Sequence, residues 1–578
     1  MSRPSEQGTF RAFDGVELFY RRWPAVNAKG AIVLFHRGHE HSGRMAHLVD
    51  ELQLPDFDFY AWDARGHGRS PGARGHSPSF ATSVRDVNDF VSEIAKTHGI
   101  ENVAVVAQSV GGVLAATWLH DYAPKVRGAV LASPAFKVKL YVPLARPGLA
   151  LLQKVRGNFV VKSYVKSKFL THDPELIASF DADPLITRDI SVNILLELYE
   201  AAERVVADAQ AITVPLQLLI SGSDFVVHHQ PQHDFFNRLG STIKERHVLP
   251  GFYHDTLGEK DRASAVKLAR AFIETRFAEP PVTVDLTQSH RAGPTRQESD
   301  ELATPLSPFS PRGLYWAATR AGMKIGGALS NGLKLGHETG FDSGSTLDYV
   351  YRNEADSKSL LGRVIDKNYL HSIGWRGIRV RKVHVEELIR LAMDKLRAAG
   401  QPVHVMDVAA GHGRYVLEAL NGAATRPDSI LLRDYSDLNV RQGAAMIQSK
   451  GLGDVARFVQ GDAFDRASLA AVTPKPTLAI VSGLYELFGD NDLVSRSLSG
   501  IADAVPRGGY LVYTGQPWHP QLELIARALT SHRGGEAWVM RRRSQGEMDQ
   551  LVERAGFRKL AQRIDQWGIF TVSLAERA

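Results

Sequence analysis

Short apolar runs alternate with helical patterns along the first half of the chain. Seven runs between residues 9 and 278 have the length and apolar content of strands: GVELFYRRW, GAIVLFH, FDFYAWDA, NVAVVAQS, VRGAVLASP, VPLQLLISG and KERHVLPG. Alternation of strands with helices predicts a mostly parallel sheet covered by helices. From residue 137 to about residue 210 the pattern turns helical, which predicts a cap inserted over the sheet.

The same alternation begins again near residue 400. Seven further strand candidates follow: PVHVMDVAA, SILLRDYS, VARFVQGDA, PTLAIVSG, GGYLVYTG, FRKLAQRID and GIFTVSLAE. They predict a second α/β domain, to which the mainly helical residues 312–399 belong as a lead-in. Residues 280–311 are rich in Pro, Ser and Thr, which predicts a linker. The sequence therefore predicts an α/β protein of two domains, residues 1–279 and 312–578.

Composition narrows the chemistry. The chain has 578 residues, 44% hydrophobic and 23% charged, which is typical of globular proteins. It contains no cysteine, so disulfides, thiolate catalysis and cysteine zinc sites are excluded. The first residues, MSRPSEQGTFRAFDG, contain no apolar core, and no run of 18 apolar residues occurs. A cytoplasmic location is expected, and the sequence does not indicate an oligomeric state.

A serine, an aspartate and a histidine follow three strand candidates in an order suited to nucleophilic catalysis. Ser109 lies in AQSVGG, where a Val-rich strand meets a helical pattern. Asp224 follows LQLLISG, and His254 lies in the loop after the last strand. A serine hydroxyl needs a base to remove its proton and an acid to orient that base. We predict that Ser109 is the nucleophile, His254 the base and Asp224 the orienting acid, with Asp255 as an alternative acid.

The motifs FHRGHEHSGR, WDARGHGRSPG, AQSVGG, GSDFVV and YHDTLGE together resemble the monoglyceride lipase and lysophospholipase branch of the α/β-hydrolases, over about residues 10–278. The resemblance implies a serine esterase acting on lipid monoesters, such as monoacylglycerols or lysophospholipids. The backbone N–H groups of Arg37 and Val110 are the expected oxyanion donors. Ala107 and Arg37 depart from the small residues that are common there, and Arg37 would narrow the acyl pocket or place a cation beside it.

Residues 137–168 carry eight Lys/Arg and no Asp or Glu, with apolar residues between them. This basic segment predicts contact with an anionic head group or an anionic membrane surface, on the inner face of the membrane, unless it is a solvated face. Residues 312–336 have a similar composition and form either an interfacial helix or a helix that packs domains together. No nucleic-acid motif accompanies the charge, and His228, His229 and His233 lack carboxylates in metal-like order, so neither nucleic acid nor metal is expected.

The second half contains a strand, a turn of small residues and a helix in VHVMDVAAGHGRYVLEAL. Asp407 ends the strand, and Ala409, Gly411 and Gly413 permit close approach to the backbone. The spacing differs from the dinucleotide fingerprint Gly-x-Gly-x-x-Gly. It resembles the first motif of class I S-adenosylmethionine-dependent methyltransferases, with Ala409 departing from the glycine-rich pattern. The resemblance implies a Rossmann-like fold whose loop passes the amino-acid part of S-adenosylmethionine.

Further methyltransferase-like motifs follow in order over residues 400–578. The resemblance implies that Asp434 binds the ribose hydroxyls, and that Asp462 contacts the adenine amine with Ala463 beside it. Tyr485 or Glu486, in VSGLYELFGD, is expected to orient or deprotonate the methyl acceptor. The acceptor cannot be read from the sequence, although the absence of an Asn/Asp-Pro-Pro-Tyr/Phe motif disfavours a nucleic-acid base.

The lead-in sequence, residues 341–382, resembles that of a methyltransferase group often fused behind α/β-hydrolases. The expected protein is therefore a bifunctional serine esterase and methyltransferase. Two alternatives stay open: an acyltransferase that uses the same three residues, and an enzyme with one activity whose other domain is a binding scaffold.

Overall fold

The computed structural model describes residues 3–139, 144–420 and 426–578. Residues 140–143 of the predicted basic segment lie outside the described residues. The chain divides into two compact units, Met1–Val284 and Asp285–Ala578. Both are built from strands and helices, so the predicted α/β class is confirmed for each half.

The first unit contains an eight-stranded sheet of order β1-β2-β4-β3-β5-β6-β9-β10, in which the strands from β4 to β10 pair in parallel and β2 is antiparallel to both β1 and β4. A small antiparallel pair, β7 and β8, lies outside it. The strands are β1 (Glu6–Arg11), β2 (Glu17–Trp23), β3 (Gly30–Phe35), β4 (Phe57–Trp62), β5 (Val103–Gln108), β6 (Gly128–Ala132), β7 (Val160–Lys162), β8 (Asp189–Ser191), β9 (Leu216–Ser221) and β10 (Lys244–Leu249).

The central strands β3, β4, β5, β6 and β9 are buried along their whole length, as expected where helices cover both faces of a sheet. The helices are α1 (His47–Glu51), α2 (Phe80–His98), α3 (Val110–Tyr122), α4 (Ala145–Arg156), α5 (Pro174–Ala182), α6 (Val192–Ala207), α7 (Gln230–Arg238) and α8 (Ala263–Ala278). The sequence missed β1, an edge strand in which Phe10 alone is fully buried. The segment predicted as a helical cap holds α4, α5 and α6, but also β7 and β8.

The second unit contains a seven-stranded sheet of order β13-β12-β11-β14-β15-β17-β16, parallel except for β17, which is antiparallel to both neighbours. Its strands are β11 (His404–Asp407), β12 (Ser429–Asp434), β13 (Ala456–Gln460), β14 (Leu478–Val481), β15 (Tyr510–Gly515), β16 (Phe557–Ile564) and β17 (Thr571–Arg577). The strand order reverses between β11 and β14, and such a switch point is where open α/β sheets bind ligands.

The helices of the second unit include the long α14, which buries an apolar stripe against the sheet. They are α9 (Pro294–Ala303), α10 (Pro311–Gly327), α11 (Asn331–Thr339), α12 (Gly344–Arg352), α13 (Leu360–Leu370), α14 (Ile373–Ala398), α15 (Arg414–Ala419), α16 (Asp437–Ser449), α17 (Arg466–Ala470), α18 (Asn491–Ala504), α19 (Leu522–Ala528) and α20 (Gln545–Arg554).

The predicted linker, residues 280–311, differs from the structure over most of its length. Residues from Asp285 onward belong to the second unit, and α9 lies within the segment. Arg527 donates to the carbonyl oxygens of Glu301 and Thr304 at the end of α9, and Arg542 pairs with Glu298 at 2.5 Å. Charged side chains anchor this helix, and its single buried apolar residue leaves no periodic pattern to detect.

Candidate functional site

Ser109 lies at a sharp turn between β5 and α3. Its backbone has φ 55° and ψ −117°, a strained conformation that non-glycine residues rarely adopt. The positions after Ser109 require small residues, because other backbone segments pass close to this turn. A Cβ atom at Gly111 would lie 2.5 Å from the carbonyl oxygen of His36, and one at Gly112 would lie 2.9 Å from Cβ of Pro134. The turn therefore holds the serine side chain at the carboxyl end of the sheet.

The structure brings Ser109, His254 and Asp224 together. The distance from Ser109 Oγ to His254 Nε2 is 2.7 Å, and His254 Nδ1 lies 2.7 Å from Asp224 Oδ2. The other oxygen of Asp224 accepts the backbone N–H groups of Val226 and Val227. Burial acts to raise the pKa of Asp224, but the charge of His254 and these hydrogen bonds outweigh it and lower that pKa. The carboxylate is therefore ionised and able to orient the imidazole.

The predicted oxyanion donors lie beside this serine. Arg37 follows β3, Val110 follows Ser109, and a Cβ atom at Gly38 would lie 3.0 Å from Cγ2 of Val110. Among the described residues, neither the N–H of Arg37 nor that of Val110 has a protein acceptor. Two such N–H groups are what an oxyanion next to Ser109 requires.

The side chain of Arg37 joins two loops, the one after β3 and the one after β10. Its guanidinium bonds both carboxylate oxygens of Glu40, at 2.9 and 2.5 Å, and lies 3.1 Å from Asp255 Oδ2. Gln108, the residue before the serine, donates to the other oxygen of Asp255 at 2.7 Å. Asp255 is therefore engaged with Arg37 and Gln108, while Asp224 bonds the histidine. Sequence reasoning missed this cluster, although the spacing of Arg37 and Glu40 at i and i+3 hinted at an ion pair.

A large cleft of about 1940 Å³ opens at the carboxyl ends of β11, β12 and β14 in the second unit. Six of the seven residues predicted to bind the cofactor line it: Ala409, Gly411, Gly413, Asp434, Asp462 and Ala463. Asp434 Oδ2 accepts the N–H of Gly411 at 2.9 Å, which ties the end of β12 to the glycine turn. A Cβ atom at Gly413 would lie 2.5 Å from Leu432, so this cradle needs glycine.

Asp407 is the exception, because its side chain lies beneath the cleft and does not line it. Its carboxylate is fully buried beside the Tyr415 hydroxyl and the backbone N–H groups of Val408 and Ala409, whose favourable contacts do not offset the burial. Burial raises its pKa to about 7. The prediction that Asp407 contacts the cofactor is therefore not supported by its placement, which is instead that of a buried acid under the turn.

The helical lead-in forms one wall of the cleft, which the sequence did not predict. Asp348 of α12 pairs with Arg414, the residue after the glycine turn, at 2.6 Å. The Cα atom of Gly344 would lie 3.6 Å from a Cβ atom at Gly411. Asp342 and Tyr351 line the same wall.

The two predicted acceptor-side residues lie in different surroundings. Tyr485 is buried, packs in the core and donates its hydroxyl hydrogen bond to Ser497, and it does not line the cofactor cleft. Glu486 lines a second cavity that adjoins the cleft. The difference arises because consecutive residues of a 3₁₀ turn point in different directions.

The groups in the large cleft fit S-adenosylmethionine. The glycine turn would hold the amino-acid portion, the carboxylate of Asp434 at the end of β12 would accept hydrogen bonds from the ribose hydroxyls, and Asp462 offers a further acceptor. The exposed ring of Tyr435, next to Asp434, offers an apolar surface for a base.

Of the three histidines near α7, His228 is exposed, and His229 and His233 are partly buried. Within the described part of the chain, ligand atoms of His290, Asp490 and Asp492 lie within 4.8 Å of one another. Arg291 pairs with Asp492 at 2.9 Å, so an ion pair explains why acidic side chains gather here.

The fold and these two sites define a two-part protein: an α/β-hydrolase with a serine–histidine–aspartate site, followed by a methyltransferase-type domain. A family model described as "Serine aminopeptidase, S33" matches residues 26–261, and one described as "Putative methyltransferase" matches residues 269–577. The chain belongs to this methyltransferase family, with an N-terminal α/β-hydrolase of the monoglyceride lipase type.

Three relatives show what the chain is similar to. The Escherichia coli "Uncharacterized protein YnbC" is 59% identical over 580 residues, which cover 100% of this chain and 99% of that protein. Human "Monoglyceride lipase" is 30% identical over 42% of this chain and 80% of its own length. "Monoacylglycerol lipase" of Mycolicibacterium smegmatis is 27% identical over 45% of this chain and 94% of its own length.

Proposed function

We propose that the protein is a bifunctional enzyme, in which the first unit hydrolyses lipid monoesters and the second transfers a methyl group from S-adenosylmethionine. The observation that carries the first activity is the pair of 2.7 Å contacts that link Ser109, His254 and Asp224. The one that carries the second is the cleft in which Asp434 and the glycine turn meet.

The geometry of the first site supports ester hydrolysis. Ser109 Oγ attacks the ester carbonyl carbon while its proton passes to His254 Nε2, and Asp224 stabilises the imidazolium that forms. The N–H groups of Arg37 and Val110 bind the oxyanion. His254 then gives the proton to the departing alcohol, and water repeats the sequence to release the fatty acid.

Relatives named for monoacylglycerol support a monoacylglycerol as substrate, and the cap supports approach from a lipid surface. No residue of α4 is buried, and its apolar side chains are open to solvent, with Val155 80% exposed and Leu151 66% exposed. Two cationic residues flank Val155 in the sequence, Lys154 before it and Arg156 after it. An amphipathic basic helix of this kind binds anionic membrane surfaces, and each cation near such a surface contributes about 1 kcal/mol. No described helix is long and apolar enough to cross a membrane.

In the second unit S-adenosylmethionine supplies an electrophilic methyl group. Asp434 would hold the ribose hydroxyls, the turn from Ala409 to Gly413 the amino-acid portion, and Asp462 the adenine amine. These contacts would orient the cofactor at the switch point of the sheet, between β11 and β14.

Substrate panels with the purified full chain test the first activity. We expect hydrolysis of 1-oleoylglycerol above trioleoylglycerol, and its loss in Ser109→Ala but not in Ser264→Ala, an exposed serine of α8. The relative rates of hydrolysis of 1-oleoylglycerol and a lysophospholipid show which head group the enzyme prefers. Transfer of the acyl chain to an added alcohol in place of water would favour the acyltransferase alternative. Absence of hydrolysis of every monoester by a well-folded chain would contradict the proposal.

Binding of S-adenosylhomocysteine, measured by calorimetry, tests the second activity separately. Failure of the wild-type chain to bind would leave the hydrolase as the single activity and the second unit as a scaffold.

A further inference from the structure

A second cavity of the methyltransferase unit adjoins the cofactor cleft. It spans about 820 Å³, part of which is open to solvent, and four residues line both cavities: Asp342, Leu347, Gly483 and Leu487. Gly483 comes just after β14, at the switch point of the sheet. A ligand in this cavity would therefore lie beside the cofactor cleft, as a methyl acceptor must.

Most of the cavity wall is apolar and aromatic. Trp375 and Trp538 present rings whose planes differ by 26° and whose centroids lie 6.4 Å apart. Tyr369, Ile378 and Phe570 complete the wall. A charged ligand would lose its hydration against these side chains without compensation, whereas an apolar body would gain by leaving water.

One end of the cavity carries buried polar groups. Glu486 Oε1 accepts a hydrogen bond from Thr514, but among the described residues Oε2 has no partner. Arg381 Nη1 lies 3.6 Å from Glu486, and both side chains are more than nine-tenths buried. Arg381 therefore compensates the charge of Glu486, so a ligand needs no charge of its own to bind at this end of the cavity.

Two uncharged donors complement the free carboxylate oxygen. Among the described residues Gln516 Nε2 has no hydrogen-bond partner, although the side chain is buried. His519 Nδ1 accepts the N–H of Gln521, so the neutral ring carries its proton on Nε2. Burial lowers the pKa of His519 to about 4, which keeps the ring neutral. A hydroxyl group, which donates one hydrogen bond and accepts others, satisfies this set.

We infer that this cavity binds the methyl acceptor and that the acceptor is an uncharged, largely apolar molecule with a hydroxyl nucleophile, either an aryl or an alkyl alcohol. The inference rests on the proposed methyltransferase activity. In the transfer, the hydroxyl oxygen forms the bond to the methyl carbon as the carbon–sulfur bond breaks, with its electron pair left on sulfur. The hydroxyl proton passes to Glu486, and the products are a methyl ether and S-adenosylhomocysteine.

The surface around two helices of the cavity fits a poorly soluble acceptor. Met323 of α10 and Tyr369 of α13 line the cavity. The same helices expose large apolar side chains to solvent, including Ile325 at 70% and Leu360 at 81%. Apolar patches of this kind mark sites where apolar ligands or lipid surfaces dock.

Binding of a matched ligand series to the full chain, without cofactor, tests the inference. The series is 2-naphthol, 2-methoxynaphthalene, which cannot donate, and 2-naphthoate, which is charged; 1-dodecanol represents the alkyl alcohols. We expect 2-naphthol or 1-dodecanol to bind. 2-Naphthol should bind about tenfold or more tighter than both other naphthalenes. 2-Methoxynaphthalene loses the hydrogen bond to the carboxylate, and 2-naphthoate would bury a charge. The tighter alcohol identifies the aryl or alkyl source.

Variants localise the binding. Glu486→Gln should reduce the preference for 2-naphthol over 2-methoxynaphthalene to less than about threefold, since an amide removes the charged acceptor. Trp375→Ala should abolish binding, and Tyr315→Ala, an exposed aromatic change on α10, should not. Calorimetric titration with S-adenosylhomocysteine reports whether each variant is folded.

The outcomes separate the two proposals. Tighter binding of 2-naphthoate, or no binding of either alcohol by a chain that binds S-adenosylhomocysteine, would overturn the acceptor inference and leave the methyltransferase proposal standing. Alcohol binding at Trp375 without any S-adenosylhomocysteine binding would support an apolar alcohol site but contradict methyl transfer.

Discussion

Replacement of Arg37 by Met tests whether the buried ion cluster positions the oxyanion loop. The substitution keeps the apolar stem of the side chain but leaves Glu40 and Asp255 without their cation. Arg37 and Glu40 are 5% and 2% exposed, and breaking a buried pair costs about 3–5 kcal/mol because a charge is left uncompensated. We expect the free energy of unfolding of the first unit to fall by about that amount.

Activity should fall as well, since the N–H of Arg37 is one of the two oxyanion donors. Complete loss of one such donor lowers kcat by about 10²–10³-fold. The fall in kcat of Arg37→Met, which only displaces the loop, should therefore not exceed this range. Asp255→Asn should have a smaller effect, because Glu40 still holds the guanidinium. In a double-mutant cycle on kcat/KM the two changes should be coupled by about 0.5–3 kcal/mol.

The assays are hydrolysis of a p-nitrophenyl ester and the urea midpoint at which that activity is lost. Arg188→Met is the matched control, because Arg188 and Asp181 also lie 3.1 Å apart but are about half exposed. Surface pairs contribute at most about 1 kcal/mol. An Arg37→Met cost no greater than that of the control, or additive effects in the cycle, would refute the positioning role.

Three further predictions concern other parts of the molecule. Folding raises the pKa of Asp407 to about 7 from about 4 in the unfolded chain, so the folded state retains a proton that the unfolded state releases. Stability, measured as the urea midpoint, should therefore fall as pH rises from about 4 to about 7. Asp407→Asn should remove this pH dependence, and an unchanged dependence would contradict the assignment. Asp434→Ala should weaken S-adenosylhomocysteine binding about tenfold or more in calorimetry, and unaltered affinity would remove Asp434 from the ribose site. Leu151→Asp on α4 should reduce sedimentation of the protein with anionic liposomes. Val248→Asp, at an exposed apolar position on β10, should not. Equal binding of the wild-type chain to neutral vesicles would exclude the basic cap as the cause.

Features carried by local sequence were predictable. The turn at Ser109 needs a strand, small residues and a helix in immediate succession, and the order of Ser109, Asp224 and His254 follows from where successive strands end. The glycine turn after β11 and the acid after β12 are local in the same sense. The strands β11, β12, β14 and β15 of the second sheet were recognisable because buried strands that pair in parallel are continuous apolar runs.

Features made by contacts between distant segments were not predictable. Arg37 and Asp255 are 218 residues apart, and no periodicity signals their pairing. The wall of the cleft formed by α12 depends on the pairing of Asp348 with Arg414. Tyr485 and Glu486 are adjacent, so which of them faces the core depends on the phase of one 3₁₀ turn.

The most direct test of the central claim is reaction of the full chain with a fluorophosphonate probe, followed by mapping of the labelled residue. The account predicts stoichiometric labelling at Ser109, loss of labelling in Ser109→Ala, and a fall in esterase turnover of about 10⁶-fold, as in other triad enzymes that lose their nucleophile. Labelling at another serine, or none in a chain that still hydrolyses esters, would contradict the assignment of Ser109 as the nucleophile.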